Sequence, residues 1–262
     1  MSFSTTHHHL VKIIAHRGNS AQAPENTRIS FQEAIHLQVD FLEGDIQFSR
    51  DKVPVVIHDG TFHRITRNGT KHAVNELDLK EIKKIDAGSW FNIGFAEERI
   101  LTLEELLCLP KGNVGVMIDV KEETFADREM AKILRDVLHS VGEKRLGHGP
   151  ILLGSLNPHL LLSLETFLPG QTFIPIVKTL TALKHFQPIN AQYYALHYSL
   201  ATPQLISQLH GEGHQVWAWT VDDKNIAKKL IDRKIDGIIT NHPKKMMSLA
   251  HLAHTASGTR NT

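Results

Sequence analysis

A chain of 262 residues with 41% hydrophobic and 22% charged side chains has the composition of an ordinary soluble globular protein and the length to bury a large core. Its 29 basic and 28 acidic residues leave a net charge of +1, which excludes the basic excess that draws a whole molecule to nucleic acid or an anionic membrane. The single cysteine, Cys108, excludes an internal disulfide and reads as packing within the apolar pattern LTLEELLCLP.

In chain order, residues 1–10 form a polar leader without the basic and apolar regions of a secretory signal. No stretch approaches the roughly 18–20 apolar residues of a membrane span. Together with the lone cysteine, this reads as a cytoplasmic protein with no stable membrane insertion. Short apolar runs then follow: KIIAH (12–16), DFLEGDIQF (40–48), VPVVIHD (53–59), VGVMIDVK (114–121), PILLGS (150–155), TFIPIV (172–177), QYYALHY (192–198), QVWAWTV (215–221) and DGIIT (236–240). Helical patterns lie between them at about 27–38, 76–85, 102–108, 124–140, 157–167, 202–211, 222–233 and 242–253. Asn157-Pro158 and Thr202-Pro203 place a capping residue before proline at the first helical position, and Asn241-His242-Pro243 reads as a late version of the same device.

Strand and helix alternating at this rhythm predict parallel strands joined by crossovers. A closed barrel competes with an open doubly wound sheet. The length, about eight strand positions and the lack of a Gly-x-Gly-x-x-Gly fingerprint favour a TIM (β/α)8 barrel over residues 11–250. Residues 60–100 are turn-rich, with RNGTK and DAGSWFN, and are too long for a simple loop. They are expected to form a small insertion after the second strand region. The small polar residues from 251 to 262 are expected to be a flexible tail.

In parallel βα folds the reacting groups collect where strands end. His16 and Arg17 close the first run, Glu43 and Asp45 lie in the second, His58 and Asp59 close the third, and Asp119 and Lys121 close the fourth. Glu43 and Asp45 are two apart on a strand, so both carboxylates project from one face. They repel unless a proton or cation neutralises them, and hard oxygen ligands suit Mg²⁺, Ca²⁺ or Mn²⁺; a solvated edge strand is the alternative. Asp119 adds a third carboxylate from another strand. Two histidines near such a cluster suit acid–base work. Arg17 and Lys121 suit phosphate, or else structural salt bridges with the same acids. This combination points to cleavage of a phosphate ester, while no Gly-x-x-x-x-Gly-Lys-Ser/Thr loop supports an NTPase and no Gly-x-Ser-x-Gly elbow supports a serine hydrolase. Trp217 and Trp219 share a strand face; they read as core, with Trp219 flooring a substrate pocket if that face lines the barrel mouth.

The segments AHRGNSAQAPENT (15–27), FLEGDIQFSRDKVPVVIHDGTFHRIT (41–66), LDLKEIKKIDAGSWF (77–91), ILTLEELL (100–107), VMIDVK (116–121), GSLNP (154–158), VWAWTVDD (216–223) and DGIITNHP (236–243) follow one another in an order that resembles the glycerophosphodiester phosphodiesterases of the compact bacterial, cytosolic type. The resemblance spans residues 11–247. It implies a TIM barrel whose His16 and His58 are the acid–base pair, whose Glu43 and Asp45 bind one divalent cation (Mg²⁺ or Ca²⁺, with Mn²⁺ a further choice), and whose Arg17 and Lys121 contact phosphate. The inserted segment would cover the mouth and shape the glycerol side. The partner would be a small glycerophosphodiester, cleaved by water to an alcohol and glycerol 3-phosphate, and not a nucleic acid. Asp119 stands where the family usually has glutamate, so its oxygens retreat by roughly 1.5 Å; it is still expected to be a metal ligand. Gly44 replaces the usual leucine between the two acids and is expected to face away from the metal. Glu25 or Asn26 is expected to orient the His16 ring. A lysophospholipase D-like activity would need an apolar rim, for which Phe91, Ile93 and Phe95 are the candidates. A non-catalytic glycerophosphodiester-binding module is the reading from a different class.

Overall fold

Eight of the nine apolar runs become parallel strands that close on themselves. The computed structural model describes residues 11–258 apart from 68, 122–124 and 143. Its strands are β1 (Lys12–His16), β2 (Phe41–Phe48), β3 (Pro54–Val56), β4 (Gly115–Val120), β5 (Ile151–Ser155), β6 (Thr172–Val177), β7 (Tyr193–His197), β8 (Gln215–Trp219) and β9 (Gly237–Thr240). β1 pairs with β2 on one side and β9 on the other, and β2, β4, β5, β6, β7, β8 and β9 complete the ring. The fold is a TIM barrel. Its strands are covered on both faces, which is why they appear in the sequence as continuous apolar runs rather than as an alternation.

β3 is the exception. VPVVIHD reads as one more parallel strand ending at His58, but only three of its residues are paired, and they run antiparallel to the far end of β2, with Ile46 opposite Val56 and Phe48 opposite Pro54. The reason is the connection. Residues 49–52 make a tight turn with Lys52 at φ 60° and a 3.0 Å bond from Ser49 N to Val53 O. A parallel crossover needs about a dozen residues. The chain therefore doubles back and returns His58 to the level of Asp45, whose carbonyl accepts from Ile57 N at 3.0 Å.

The helices are α1 (Arg28–His36), α2 (Leu79–Ile82), α3 (Leu103–Leu107), α4 (Asp127–Gly142), α5 (Pro158–Phe167), α6 (Leu180–Phe186), α7 (Pro203–Gly211), α8 (Lys224–Asp232) and α9 (Pro243–Gly258). Asn157 and Thr202 cap α5 and α7 through their side chains, as their position before proline predicts. α6, seven residues long and capped by Thr179, lies where no helix was expected from the sequence. α9 runs on through residues that the composition assigns to a tail. The leader at 1–10 and residues 259–262 lie outside the described residues.

Three apolar clusters hold the molecule. The largest fills the space between barrel and helices. A second plugs the lumen, with Trp217 fully buried and Phe41 and Tyr193 at 4.8 and 5.2 Å between ring centroids. Burying side chains of this size stabilises by about 1.5–3 kcal/mol each, and it leaves chemistry only at the rim. The third cluster, Val55, Ile57, Phe62, Ile65, Val74, Ile82, Ala87 and Ile100, gives the 60–100 segment a core of its own. On its surface Phe91 packs edge-on between Trp90 and Phe95, leaving Ile93 65% exposed. Among the described residues no helix is long and apolar enough to cross a membrane.

Candidate active site

The site starts from the turn after β1. Arg17 and Gly18 both take positive φ, 56° and 84°, and a Cβ on Gly18 would sit 2.5 Å from Ser30 Oγ, so only glycine fits there. This turn aims the Arg17 backbone N–H at Glu43 Oε2, 2.9 Å away. Strand register does the rest: His16 lies opposite Glu43, and Asp45 lies opposite Asp119. All three acids are buried, which removes the reading of a solvated edge strand. Gly44 faces outward, where a Cβ would meet Leu106 at 3.0 Å and Phe31 at 3.2 Å, so its missing side chain makes room for α3 and α1.

Two cations serve these acids. Arg17 Nε lies 3.0 Å from Asp45 Oδ2, near enough for an ion pair though not aligned as a hydrogen bond. Lys121 Nζ lies 2.8 Å from Asp45 Oδ1 and also bonds Asp119 Oδ2. Asn26 Nδ2 donates to Asp45 Oδ2 at 3.0 Å. Burial works against the Asp45 carboxylate, but Arg17 and Lys121 outweigh it and hold its pKa below the usual range. Glu43 goes the other way: burial, then the charge of Asp45, push it well above the usual value. Burial also raises Asp119, against the pull of Lys121. The split follows from burying all three acids while both cations sit on Asp45; Arg17 is shared besides with Glu25, whose Oε1 accepts from its Nη1 at 2.9 Å.

Among the described residues, no three His, Cys, Asp or Glu side chains already surround one point as a metal cage. Lys121 stands between Asp45 and Asp119 instead. The donor chemistry nevertheless fits a hard divalent cation. Asp119 Oδ1 is buried with no partner, Glu43 is short of positive charge, and every donor is a carboxylate oxygen.

The histidines are held differently. His16 Nδ1 lies 2.7 Å from Asn241 Oδ1, and its Nε2 lies 3.9 Å from Glu43 Oε2. Burial, helped by the Arg17 charge, lowers its pKa to about 4. His58 Nδ1 lies 2.6 Å from Asp59 Oδ1, and Asp59 Oδ2 accepts from Arg64 Nε at 2.7 Å. Arg64 then donates to both oxygens of Glu25, at 2.8 and 2.7 Å. Arg17, Glu25, Arg64 and Asp59 thus form one chain of ion pairs through the insertion, which ends in the hydrogen bond between Asp59 and His58.

His16, Arg17, Glu43, Asp45, His58, Asp119, Lys121 and Trp219, all singled out in the sequence, line one pocket, with Leu156 and Ile176 on its apolar side. Trp219 is half-buried there and donates from Nε1 to Ala195 O at 2.9 Å. One expectation is overturned. Neither Glu25 nor Asn26 orients the His16 ring: Glu25 takes Arg17 and Arg64, Asn26 takes Asp45, and the ring's partner is Asn241. Sequence reasoning also missed Asp222, which accepts from Asn241 Nδ2 at 2.6 Å, and Arg64. Asn241 follows the last strand as His16 and Arg17 follow the first, but its place before Pro243 reads as a helix cap and conceals the contact. A wider groove of about 830 Å³ between α1 and α9 contains none of the predicted residues.

Residues 16–245 match the glycerophosphoryl diester phosphodiesterase family. A glycerophosphodiester phosphodiesterase of Caldanaerobacter subterraneus subsp. tengcongensis is 32% identical over 241 residues, covering 90% of this chain and 96% of its own. Among solved structures, an Oleispira antarctica phosphodiesterase in complex with the product sn-glycerol-3-phosphate is 27% identical with a TM-score of 0.80, covering 92% of this chain and 96% of that one. A glycerophosphodiester phosphodiesterase of Thermotoga maritima, 22% identical with a TM-score of 0.71 over 93% and 100% of the two chains, shares the fold.

Proposed function

The chain belongs to the glycerophosphoryl diester phosphodiesterase family and is a glycerophosphodiester phosphodiesterase, and on that premise we propose a cation-dependent hydrolysis to an alcohol and glycerol 3-phosphate in which His16 is the general base and His58 the general acid. The observation that carries the assignment is the difference between their partners. His16, with its pKa lowered to about 4 by burial, is a neutral ring at pH 7 whose Nδ1 faces an amide oxygen. His58 has a carboxylate acceptor at Nδ1, which suits a ring carrying protons on both nitrogens.

Glu43, Asp45 and Asp119 would hold the cation, Mg²⁺, Ca²⁺ or Mn²⁺, which supplies charge stabilisation for a phosphoryl oxygen when bound. The protein's own groups do the remainder. Arg17 and Lys121 bring two positive charges to the same pocket, where a guanidinium and an ammonium offset phosphate charge. His16 Nε2 takes the proton of the attacking oxygen, from water or from the substrate's own glycerol hydroxyl. His58 Nε2 returns a proton to the oxygen of the departing alcohol. Leu156, Ile176 and Trp219 offer an apolar wall to the carbon skeleton.

Release of glycerol 3-phosphate, followed with a coupled assay, should stop on addition of a chelator and return when one of the three metals is restored. No release under any of them would refute the reading. The ion-pair chain makes a smaller prediction. Arg64→Gln cuts the link between Asp59 and Glu25, so kcat should fall about tenfold, the low end of the loss when a supporting partner is removed. Being 41% exposed, the Arg64 side chain should contribute little to the melting temperature; an unchanged kcat would show that the insertion does not steady His58 through this residue.

A further inference from the structure

We propose that Asp222 and Asn241 are positioning residues that decide which nitrogen of His16 carries the ring proton, an inference that rests on the reading of His16 as the base. Asn241 follows β9, 225 residues from His16 in the chain, and meets the ring at Nδ1. A side-chain amide has two orientations, and its neighbours decide between them. Here the deciding neighbour is a carboxylate, which can only accept hydrogen bonds. Asp222 Oδ2 takes Asn241 Nδ2 at 2.6 Å, while Asp222 Oδ1 takes Asn241 N at 2.8 Å and Thr240 Oγ1 at 2.9 Å. Lys245 Nζ anchors the Asp222 carbonyl at 2.5 Å.

With its nitrogen committed to Asp222, Asn241 must turn its oxygen towards His16. That oxygen also only accepts. Ser20 Oγ, 2.8 Å from it, has one hydroxyl proton to share between Asn241 Oδ1 and the His16 carbonyl, and so suits an acceptor at this position. The proton of the neutral ring therefore resides on Nδ1. Nε2 is left with its lone pair, on the side of the ring near Glu43 and the pocket. Flipping the amide would set two acceptors, Asn241 Oδ1 and the Asp222 carboxylate, against each other and would place a proton on Nε2. A ring in that tautomer cannot take a proton from the attacking oxygen. Asp222 thus acts through Asn241 on His16, without touching the substrate.

The test reads the ring directly. In ¹⁵N-histidine spectra of the Mg²⁺-loaded enzyme, with His16 assigned by its loss in His16→Gln, the neutral ring should carry its proton on Nδ1. In Asp222→Asn, the remaining oxygen is claimed by the Asn241 backbone N–H, so the new amide donates to the Asn241 side chain, turns the nitrogen of Asn241 towards His16 and should shift the ring towards the Nε2 tautomer. There kcat should fall at least about tenfold with KM within threefold. The exchanged pair Asp222→Asn with Asn241→Asp reverses the bond between them, the residue 222 amide donating to a residue 241 carboxylate that can only accept from His16, and should recover both the Nδ1 tautomer and most of the lost kcat. An Nε2-protonated His16 in the parent enzyme overturns the proposal, and this measurement needs no variant to fold. So does an Asp222→Asn enzyme that loses kcat with its tautomer unchanged, that keeps its parent kcat, or that the exchange does not rescue. Failure to release glycerol 3-phosphate would count against the proposed reaction alone, because the spectra report on the ring whether or not the enzyme turns over.

Discussion

His16→Ala and His58→Ala should each lower turnover of a glycerophosphodiester by about 10³-fold, within the 10²–10⁴ that a positioned acid or base contributes, while both proteins stay folded. His16 gives up one hydrogen bond to Asn241, about 1 kcal/mol, which for a chain of this size is a shift of a few degrees in melting temperature. His58, with its side chain 37% exposed, gives up less packing still. Activity within tenfold of the parent in either variant would dissolve the pair. The two roles separate on the leaving group. An ester of a nitrophenol departs without protonation, so His58→Ala should regain most of its rate on that substrate and His16→Ala should regain none. The reverse pattern would exchange base and acid.

Asp45→Asn should cost both activity and structure. Asp45 is 1% exposed, and Arg17 and Lys121 each rest on one of its oxygens. Removing its charge leaves two partly buried cations, with side chains 16% and 17% exposed, without their main partner, a loss of at most about 3–5 kcal/mol, the cost when one member of a fully buried pair is deleted. Turnover should become undetectable, since the same change removes a proposed metal ligand and frees Arg17 and Lys121, the side chains proposed to meet the phosphate, from the carboxylate that places them. Asp119→Asn should be milder for stability: burial already pushes that carboxyl towards its neutral form, and Lys121 keeps Asp45. Denaturant unfolding of the two variants checks the order, and equal midpoints would show that Asp45 does not anchor the cation cluster.

The barrel was legible because strands covered on both faces leave uninterrupted apolar runs, and the site because polar residues interrupt those runs at their ends. Direction was not legible for β3: a short antiparallel strand and a parallel one leave the same apolar run, and only the turn at 49–52 distinguishes them. Nearness in sequence misled at Glu25 and Asn26. They are close to His16 along the chain, but the left-handed turn at Arg17 and Gly18, and the positive φ of Asn26 itself, carry them to Arg17 and Asp45. Asn241 was hidden for the opposite reason. Standing two residues before Pro243 it has a sufficient local explanation as a cap, and nothing local announces a partner 225 residues away.

That separation has a consequence for how the site comes into being. Glu43, Asp45 and His58 lie on a single hairpin, β2 with β3, whose contacts are local and need little loop closure to form. The bond between His16 and Asn241 joins the first strand to the last and can exist only when the ring is complete. Contacts of such long sequence separation are the slow ones in folding. On the roles proposed above, His58 and the carboxylates can be assembled while the chain is still an open sheet, whereas the contact proposed to fix the His16 tautomer forms only in the closing step, so that catalytic competence would report on the joining of the two ends of the barrel.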